Sequence, residues 1–249
     1  MPEADVPFEL LVDDFSVAYI RSTVERLEAS LTEGWPCWAI SNHDVVRAVT
    51  RWGDGRANDT LAAQLVALVC SLRGSVCLYQ GEELGLPEAQ VPYESLQDPY
   101  GKAFWPTFKG RDGCRTPMPW NASAQAGFSE GKPWLPIPAE HVARNVAAQD
   151  ADPASVLNRT RAFLRWRATH AALREGAIRF VDSDEPVLAF VREAEGQRLL
   201  VAFNLSAAPV AWTPPGELSL LEAPGLATAQ WRAGVLELPA HGAVFATLG

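Results

Sequence analysis

The sequence predicts an α/β chain of parallel strand and helix units that gives way, after Gly176, to an antiparallel all-β module. Two observations carry this expectation. Between residues 13 and 79, amphipathic helical patterns alternate with short apolar runs in the order helix, strand, helix, strand, with short links. Beyond Gly176 the texture changes to brief alternating runs separated by Gly, Pro and Asp turns. With 249 residues, 48% of them hydrophobic, the chain can bury a sizeable core and form one large domain or one plus a smaller one.

The first helix is expected over 13–30. Phe15, Val17, Ile20, Val24, Leu27 and Leu31 recur at three- and four-residue intervals, Asp13 or Asp14 is available as N-cap, and Gly34 lies just past the end. A buried strand over 37–41 follows, then a connection through Arg51-Trp52-Gly53-Asp54-Gly55. Asp59-Thr60 opens a second helix with Leu61, Leu65, Leu68, Val69 and Leu72 on its face, and Gly74 ends it. Val76-Cys77-Leu78-Tyr79 is the second apolar run. From Gly81 to about Asp150 the chain is rich in Pro, Gly and Trp with almost no sustained period, and loops this long inside a compact domain usually serve function. Helical periodicity returns over 154–172, with Asp152-Pro153 as a start signal. Strands are then expected over 178–181, 187–192, 199–204, 210–212 and 243–248.

A net charge of −9 and a pI near 5.0, with no cluster of Lys or Arg, argue against nucleic acid or an anionic membrane as partner. No run approaches the length of a membrane-spanning helix, and the acidic start Met1-Pro2-Glu3-Ala4-Asp5 has no basic-then-apolar leader pattern. Cys37, Cys70, Cys77 and Cys114 lack C-x-x-C spacing, which points to reduced thiols, no structural zinc and a cytoplasmic setting. His141, His170 and His241 are scattered without metal spacing, so no metal and no cofactor are expected.

Chemistry is expected where Trp38-Ala39-Ile40-Ser41 breaks off into Asn42-His43-Asp44. Parallel strands covered by helices are apolar on both faces, and in a (β/α)₈ barrel reacting groups stand at the carboxyl ends of such strands. An acid, an imidazole and an amide at one strand tip suit charge stabilisation and hydrogen bonding to a bound polyol. The other reading is that Asp44 caps a following helix and His43 packs.

Two further strings stand downstream: Leu78-Tyr79-Gln80-Gly81-Glu82-Glu83-Leu84-Gly85 and Gly110-Arg111-Asp112-Gly113-Cys114-Arg115-Thr116-Pro117-Met118-Pro119-Trp120. With the Asp44 stretch, they resemble the seventh-strand, eighth-strand and following-loop motifs of the α-glucosidase and oligo-1,6-glucosidase branch of glycoside hydrolase family 13, the α-amylase family. The resemblance runs along the whole chain in order. It implies the C-terminal part of a (β/α)₈ TIM barrel, strands seven and eight with their helices, over 1–175, followed by a β-sandwich domain over 176–249.

What the resemblance implies for function is a retaining α-glucosidase releasing glucose from the non-reducing end of short α-glucosides. Such enzymes need a carboxylate nucleophile and a second carboxyl as acid then base. By resemblance both come from strands four and five, which this chain does not include. Asp44 carries over as the carboxylate that favours the transition state, His43 as a donor beside it, and Arg111 as the arginine that fixes the non-reducing glucose, against a plain surface-loop arginine. Arg47 either orients the region or lines the entrance, against pairing with a carboxylate such as Glu82. Glu82 and Glu83 are read as support for the barrel end, since adjacent residues on an extended chain point opposite ways. Two strands cannot close a barrel, so an N-terminal barrel fragment is an expected partner beside the oligosaccharide or α-glucoside substrate, and the chain alone is expected to be inactive. A sucrose isomerase or transglucosidase of the same branch, a complementing subunit and a truncated protein without catalysis remain open.

Overall fold

A computed structural model describes residues 8–53, 55, 58–227 and 229–248. The acidic start at residues 1–5, and Asp54 in the connection to the second helix, lie outside the described residues.

Helix α1 (Val17–Ser30) begins two to three residues later than the Asp14 and Asp13 signals suggest. Ser16 is the cap, its hydroxyl accepting from the Tyr19 amide at 3.2 Å, while the Asp14 carboxylate accepts from the Ser16 amide at 2.9 Å. Strand β1 (Cys37–Trp38) pairs in parallel with β2 (Ser75–Val76), Cys37 opposite Ser75 and Trp38 opposite Val76. Each is only two residues long, because each has the other as its sole ladder partner among the described residues. Between them lie the one-turn helix α2 (Ala48–Arg51) and helix α3 (Asp59–Ser71), the latter capped by the Asn58 side chain and buried along almost its whole length.

The long segment after β2 contains single turns rather than one loop. Among them are α4 (Pro99–Ala103), α5 (Ala139–Ala143) and α6 (Val146–Ala151). Helix α7 (Val156–Ala168) is capped by Ser155, and α8 (Ala171–Glu175) leads into the β-region.

That region holds β3 (Ala177–Phe180), β4 (Val187–Ala194), β5 (Gln197–Asn204), β6 (Val210–Trp212), β7 (Leu218–Leu221), β8 (Gln230–Arg232), β9 (Val235–Leu238) and β10 (Ala243–Leu248). Two antiparallel sheets result, in the orders β3-β4-β5-β10-β7 and β6-β9-β8. The larger sheet is the middle of three layers. Leu188, Phe190, Val201, Phe203 and Phe245 on one face pack with residues of α1, α3 and α7, while Val187, Ala189, Val191, Leu200 and Ala202 on the other pack with Leu236 and Leu238 of the smaller sheet. Being covered on both faces, β4 and β5 read as apolar runs rather than as alternation.

One core therefore runs from the helices into the β-region. Polar links cross the same junction: Gln64 on α3 donates to the carbonyls of Asn204 (2.7 Å) and Gly242 (3.1 Å). No helix among the described residues is long and apolar enough to cross a membrane.

Candidate active site

The segment after β1 is shaped by its own side chains. The Asn42 Oδ1 accepts from the Asp44 amide at 2.8 Å, which turns the chain outward, and the buried Ser41 hydroxyl accepts from the Ala48 amide at 3.1 Å. Arg51, at the end of α2, pins the turn from behind by donating to the carbonyls of Ile40 and Val46, each at 2.5 Å, and of Val12 at 3.0 Å. The result is a turn that presents His43 and Asp44 to solvent, with side chains 68% and 46% exposed.

Asp44 does not cap α2; Arg47 occupies that position with no side-chain cap bond. Instead the Asp44 Oδ1 accepts from Arg111 Nη1 at 3.0 Å and from Arg115 Nη2 at 2.9 Å. Its Oδ2 lies 3.5 Å from His43 Nε2. Arg115 also donates through Nε to the His43 carbonyl at 2.6 Å, so it fixes both residues of the pair.

Arg111 is itself held by a buried carboxylate, Asp98. Asp98 Oδ2 accepts from the Arg111 amide at 2.8 Å and from Nε at 2.9 Å, and Oδ1 accepts from Nη2 at 3.3 Å. The guanidinium in turn holds the Asp98 carboxyl down at about 2. Two carboxylates and two guanidiniums thus form one cluster without net charge. Asp112 secures the approach, its Oδ2 accepting from the amides of Gln97 (2.5 Å) and Asp98 (2.8 Å). Gly113 is required beside it: a Cβ there would stand 2.2 Å from Glu88 Oε1 and 2.6 Å from the Ala89 carbonyl.

The sequence expectations fare unevenly. His43, Asp44 and Arg111 are brought together, although 67 residues separate Asp44 from Arg111. Arg47, expected at the substrate or its entrance, is only 3% exposed. Its guanidinium donates to the carbonyls of Gln80 (2.8 Å) and Cys114 (3.0 Å) and lies over the Tyr79 ring at 5.4 Å. Burial explains the difference: the segment after β2 and the 110–120 loop close over Arg47, and a carbonyl from each takes one of its Nη donors. No ion pair joins it to Glu82 among the described residues. Glu82 is half-buried, with its carboxyl pushed up to about 7 by desolvation and its Oε2 accepting from the Tyr79 amide at 2.9 Å, while Glu83 Oε2 accepts from the Gly81 amide at 2.8 Å. Both glutamates thus bond to the backbone of their own turn. Arg115, Asp98 and Arg51 went unassigned in the sequence. The Asp98-Pro99 pair is a readable helix start, since Asp98 does cap α4, but its grip on Arg111 depends on a contact across the loop.

His141 on α5 locks the loop to the barrel part, its Nε2 lying 2.8 Å from the Pro87 carbonyl and its Nδ1 3.1 Å from the Thr116 hydroxyl. Burial lowers its pKa from 6.5 to about 4. An unfolded chain therefore binds a proton that the folded chain refuses. The neutral ring's stabilising contribution is present above about 6.5 and is lost as pH falls toward 4, on the order of 3 kcal/mol in all. Denaturant midpoints measured at pH 7, 5.5 and 4.5 should fall more steeply for the wild-type chain than for His141→Gln; parallel declines would remove His141 as the cause. Among the described residues, no group of three or more His, Cys, Asp or Glu is placed to hold a metal ion.

Residues 7–176 match the α-amylase catalytic domain and residues 178–245 match the maltogenic amylase C-terminal domain. A Rhizobium meliloti protein named "Probable alpha-glucosidase" is 47% identical over 97% of this chain and 44% of its own length. An oligo-1,6-glucosidase of Heyndrickxia coagulans is 29% identical over 82% of this chain and 40% of its own. Among solved structures, an α-glucosyl transfer enzyme, XgtA, is 60% identical with a TM-score of 0.94, over 97% of this chain and 45% of that one. The trehalulose synthase MutB from Pseudomonas mesoacidophila is 27% identical with a TM-score of 0.82, over 96% and 50% respectively. The chain spans about half the length of the relatives it matches. Its strands, helices and sandwich are the C-terminal part of a (β/α)₈ barrel with its β-domain, and the chain belongs to the α-amylase family.

Proposed function

We propose that these residues belong to a retaining α-glucosidase that releases glucose from the non-reducing end of short α-glucosides, with Asp44 as the carboxylate that favours the oxocarbenium-like transition state. One observation supports this above the rest. Asp44 stands exposed past the end of a parallel strand, one oxygen held by two guanidiniums and the other open beside His43. A carboxylate oriented in this way accepts from sugar hydroxyls at no cost of reorganisation, and His43 and Arg111 supply donors around it. Arg47 is assigned a positioning role in place of the expected contact with substrate, because it is 3% exposed and its Nη1 and Nη2 bond the carbonyls of Gln80 and Cys114.

The bond-breaking pair, nucleophile and acid/base, is assigned to none of these 249 residues. We assign it to a segment carrying the rest of the barrel, in the same or a partner chain, and the division into 1–175 and 176–249 and a cytoplasmic setting belong to the same proposal. Glucosyl transfer or sucrose isomerisation is the second reading, favoured by the 60% identity to an α-glucosyl transfer enzyme.

A polypeptide of these 249 residues, assayed alone on p-nitrophenyl α-glucoside, should give no turnover. Combined with the part of the Rhizobium meliloti relative that lies outside the match, it should turn over at about 1 to 10³ per second. Activity in the chain alone would overturn the assignment of the bond-breaking pair elsewhere. A completed barrel that leaves α-glucosides intact would overturn the glucosidase reading, and one that yields mainly glucosylated acceptors rather than free glucose would establish the second.

A further inference from the structure

The turn that presents Asp44 is anchored on both sides, by Ser41 three residues before the carboxylate and by Arg47 three residues after it. Glu82 faces both anchors. It opens the single turn Glu82–Leu84 after β2, with its Oε2 accepting from the Tyr79 amide at 2.9 Å. The Ser41 hydroxyl accepts from the Ala48 amide at 3.1 Å, so its own hydrogen is left for another acceptor, and it stands near enough to favour the charged form of the Glu82 carboxyl. Arg47 favours the same form, yet the two side chains form no ion pair.

Arg47 and Glu82 both line a small cavity of about 20 Å³, whose other walls are apolar, among them Ile40, Leu65, Val66 and Leu86. Each brings to it one enclosed polar atom that no protein group satisfies, the donor Arg47 Nε and the acceptor Glu82 Oε1. Gly81 lets the segment after β2 come this close, since a Cβ there would stand 2.7 Å from Arg47 Nη1. Leaving both atoms unmatched would carry the desolvation penalty of two charged groups. A space of this size holds one water, which can accept from Nε and donate to Oε1 at once.

We propose that Glu82 is a positioning residue for Asp44, tied to Ser41 on one side of the turn and, through a single water bound in this cavity, to Arg47 on the other. The proposal rests on the reading of Asp44 as the carboxylate that favours the transition state, and it adds a group that never touches sugar. Desolvation holds the Glu82 carboxyl near 7, so the tie is made by a carboxylate above that pH and slackens below it. The groups around it are Arg47 and Arg51 of α2 and its cap, Tyr79 and Glu83 beside it in the chain, and Cys70 of α3, whose thiol burial pushes up to about 12. Glu88 lies across Arg47, its Oε2 accepting from the Arg47 amide at 3.0 Å, and Arg144 reaches the Leu84 carbonyl at 3.3 Å while pairing with Asp59.

A barrel completed around this chain, assayed on p-nitrophenyl α-glucoside between pH 5.5 and 8, tests this. Glu82→Gln keeps the shape and loses the charge. The ratio of wild-type to Glu82→Gln kcat should stand near one at pH 5.5 and rise through pH 7 to about tenfold at pH 8, as a small displacement of Asp44 would give. Ser41→Ala removes one donor to the carboxylate, so the acid limb of its kcat profile should move to higher pH than in wild type. This second variant decides the matter if Glu82→Gln does not fold. In a high-resolution crystal structure of the wild-type enzyme, one water should lie within hydrogen-bond distance of both Arg47 Nε and Glu82 Oε1. A ratio that stays constant with pH, or a limb unmoved in Ser41→Ala, would overturn the positioning role while leaving the α-glucosidase reading in place. Direct contact between Arg47 Nε and Glu82 would overturn the water bridge. A completed barrel inert toward the glucoside would overturn the proposal and the reading of Asp44 together.

Discussion

In a barrel completed around this chain, Asp44→Asn is expected to lower kcat/KM on an α-glucoside by at least about 10². The reason lies in the charge balance of the cluster. Asp44 and Asp98 together offset Arg111 and Arg115, so the site is neutral as it stands. Asparagine is nearly isosteric and keeps an oxygen for Arg111 and Arg115, but it leaves one guanidinium uncompensated beside a ring that develops positive charge. Two unit charges about 4 Å apart interact by about 4 kcal/mol at the effective dielectric of a protein surface. A hundredfold loss corresponds to about 2.7 kcal/mol, so it needs only part of that interaction. Steady-state kinetics of a folded Asp44→Asn enzyme that matched wild type would mean that the carboxylate serves only to order Arg115 and the His43 carbonyl.

The parts of the fold that could be read in advance are those set by local pattern. Helices α1 and α3 follow from apolar spacing, yet their first residues do not, because Asp13, Asp14, Ser16, Asn58 and Asp59 are all competent caps and tertiary packing chooses among them. Strand β7 and the β8–β9 hairpin were missed. The hairpin turns through Ala233-Gly234, both with positive φ (48° and 84°), and alanine is a residue that sequence reasoning does not place in the left-handed region.

The candidate site divides in the same way. His43, Asp44 and Arg111 stand in strings distinctive enough to be singled out. Arg115, Asp98 and Arg51 act through backbone carbonyls and a carboxylate brought in from distant segments, and a lone arginine carries no local mark of which carbonyls will surround it. Arg47 shows the converse. Its place one turn past Asp44 suggests the substrate, and carbonyls of two other backbone segments hold it inward.

Arg192 is the residue whose loss should most damage the fold. It lies on β4, wholly buried, where the neighbouring positions on the same face are apolar. Nη1 donates to the Ser71 carbonyl at 2.5 Å, Nη2 to Gly176 at 2.8 Å and Nε to Ala177 at 3.4 Å. Burial lowers its pKa to about 10, so it remains a cation at neutral pH. No carboxylate pairs with it among the described residues; the charge rests instead at the C-terminal end of α3, where the helix dipole favours it. Arg192→Met keeps much of the volume but strips the buried carbonyls of Ser71 and Gly176, and the part-buried one of Ala177, of the Arg192 donors at the point where helices and β-region meet. The expected cost is about 3 kcal/mol or more, read as a lower urea midpoint at unchanged slope. Because Phe163 of α7 and Phe190, Phe203 and Phe245 of the sheet share one core, helix and strand signals should shift together in a single transition. A loss below about 1 kcal/mol would show that water satisfies the carbonyls. A variant in which the strand signal melts at its wild-type midpoint while the helices melt early would show that the β-region folds without the helices packed on it.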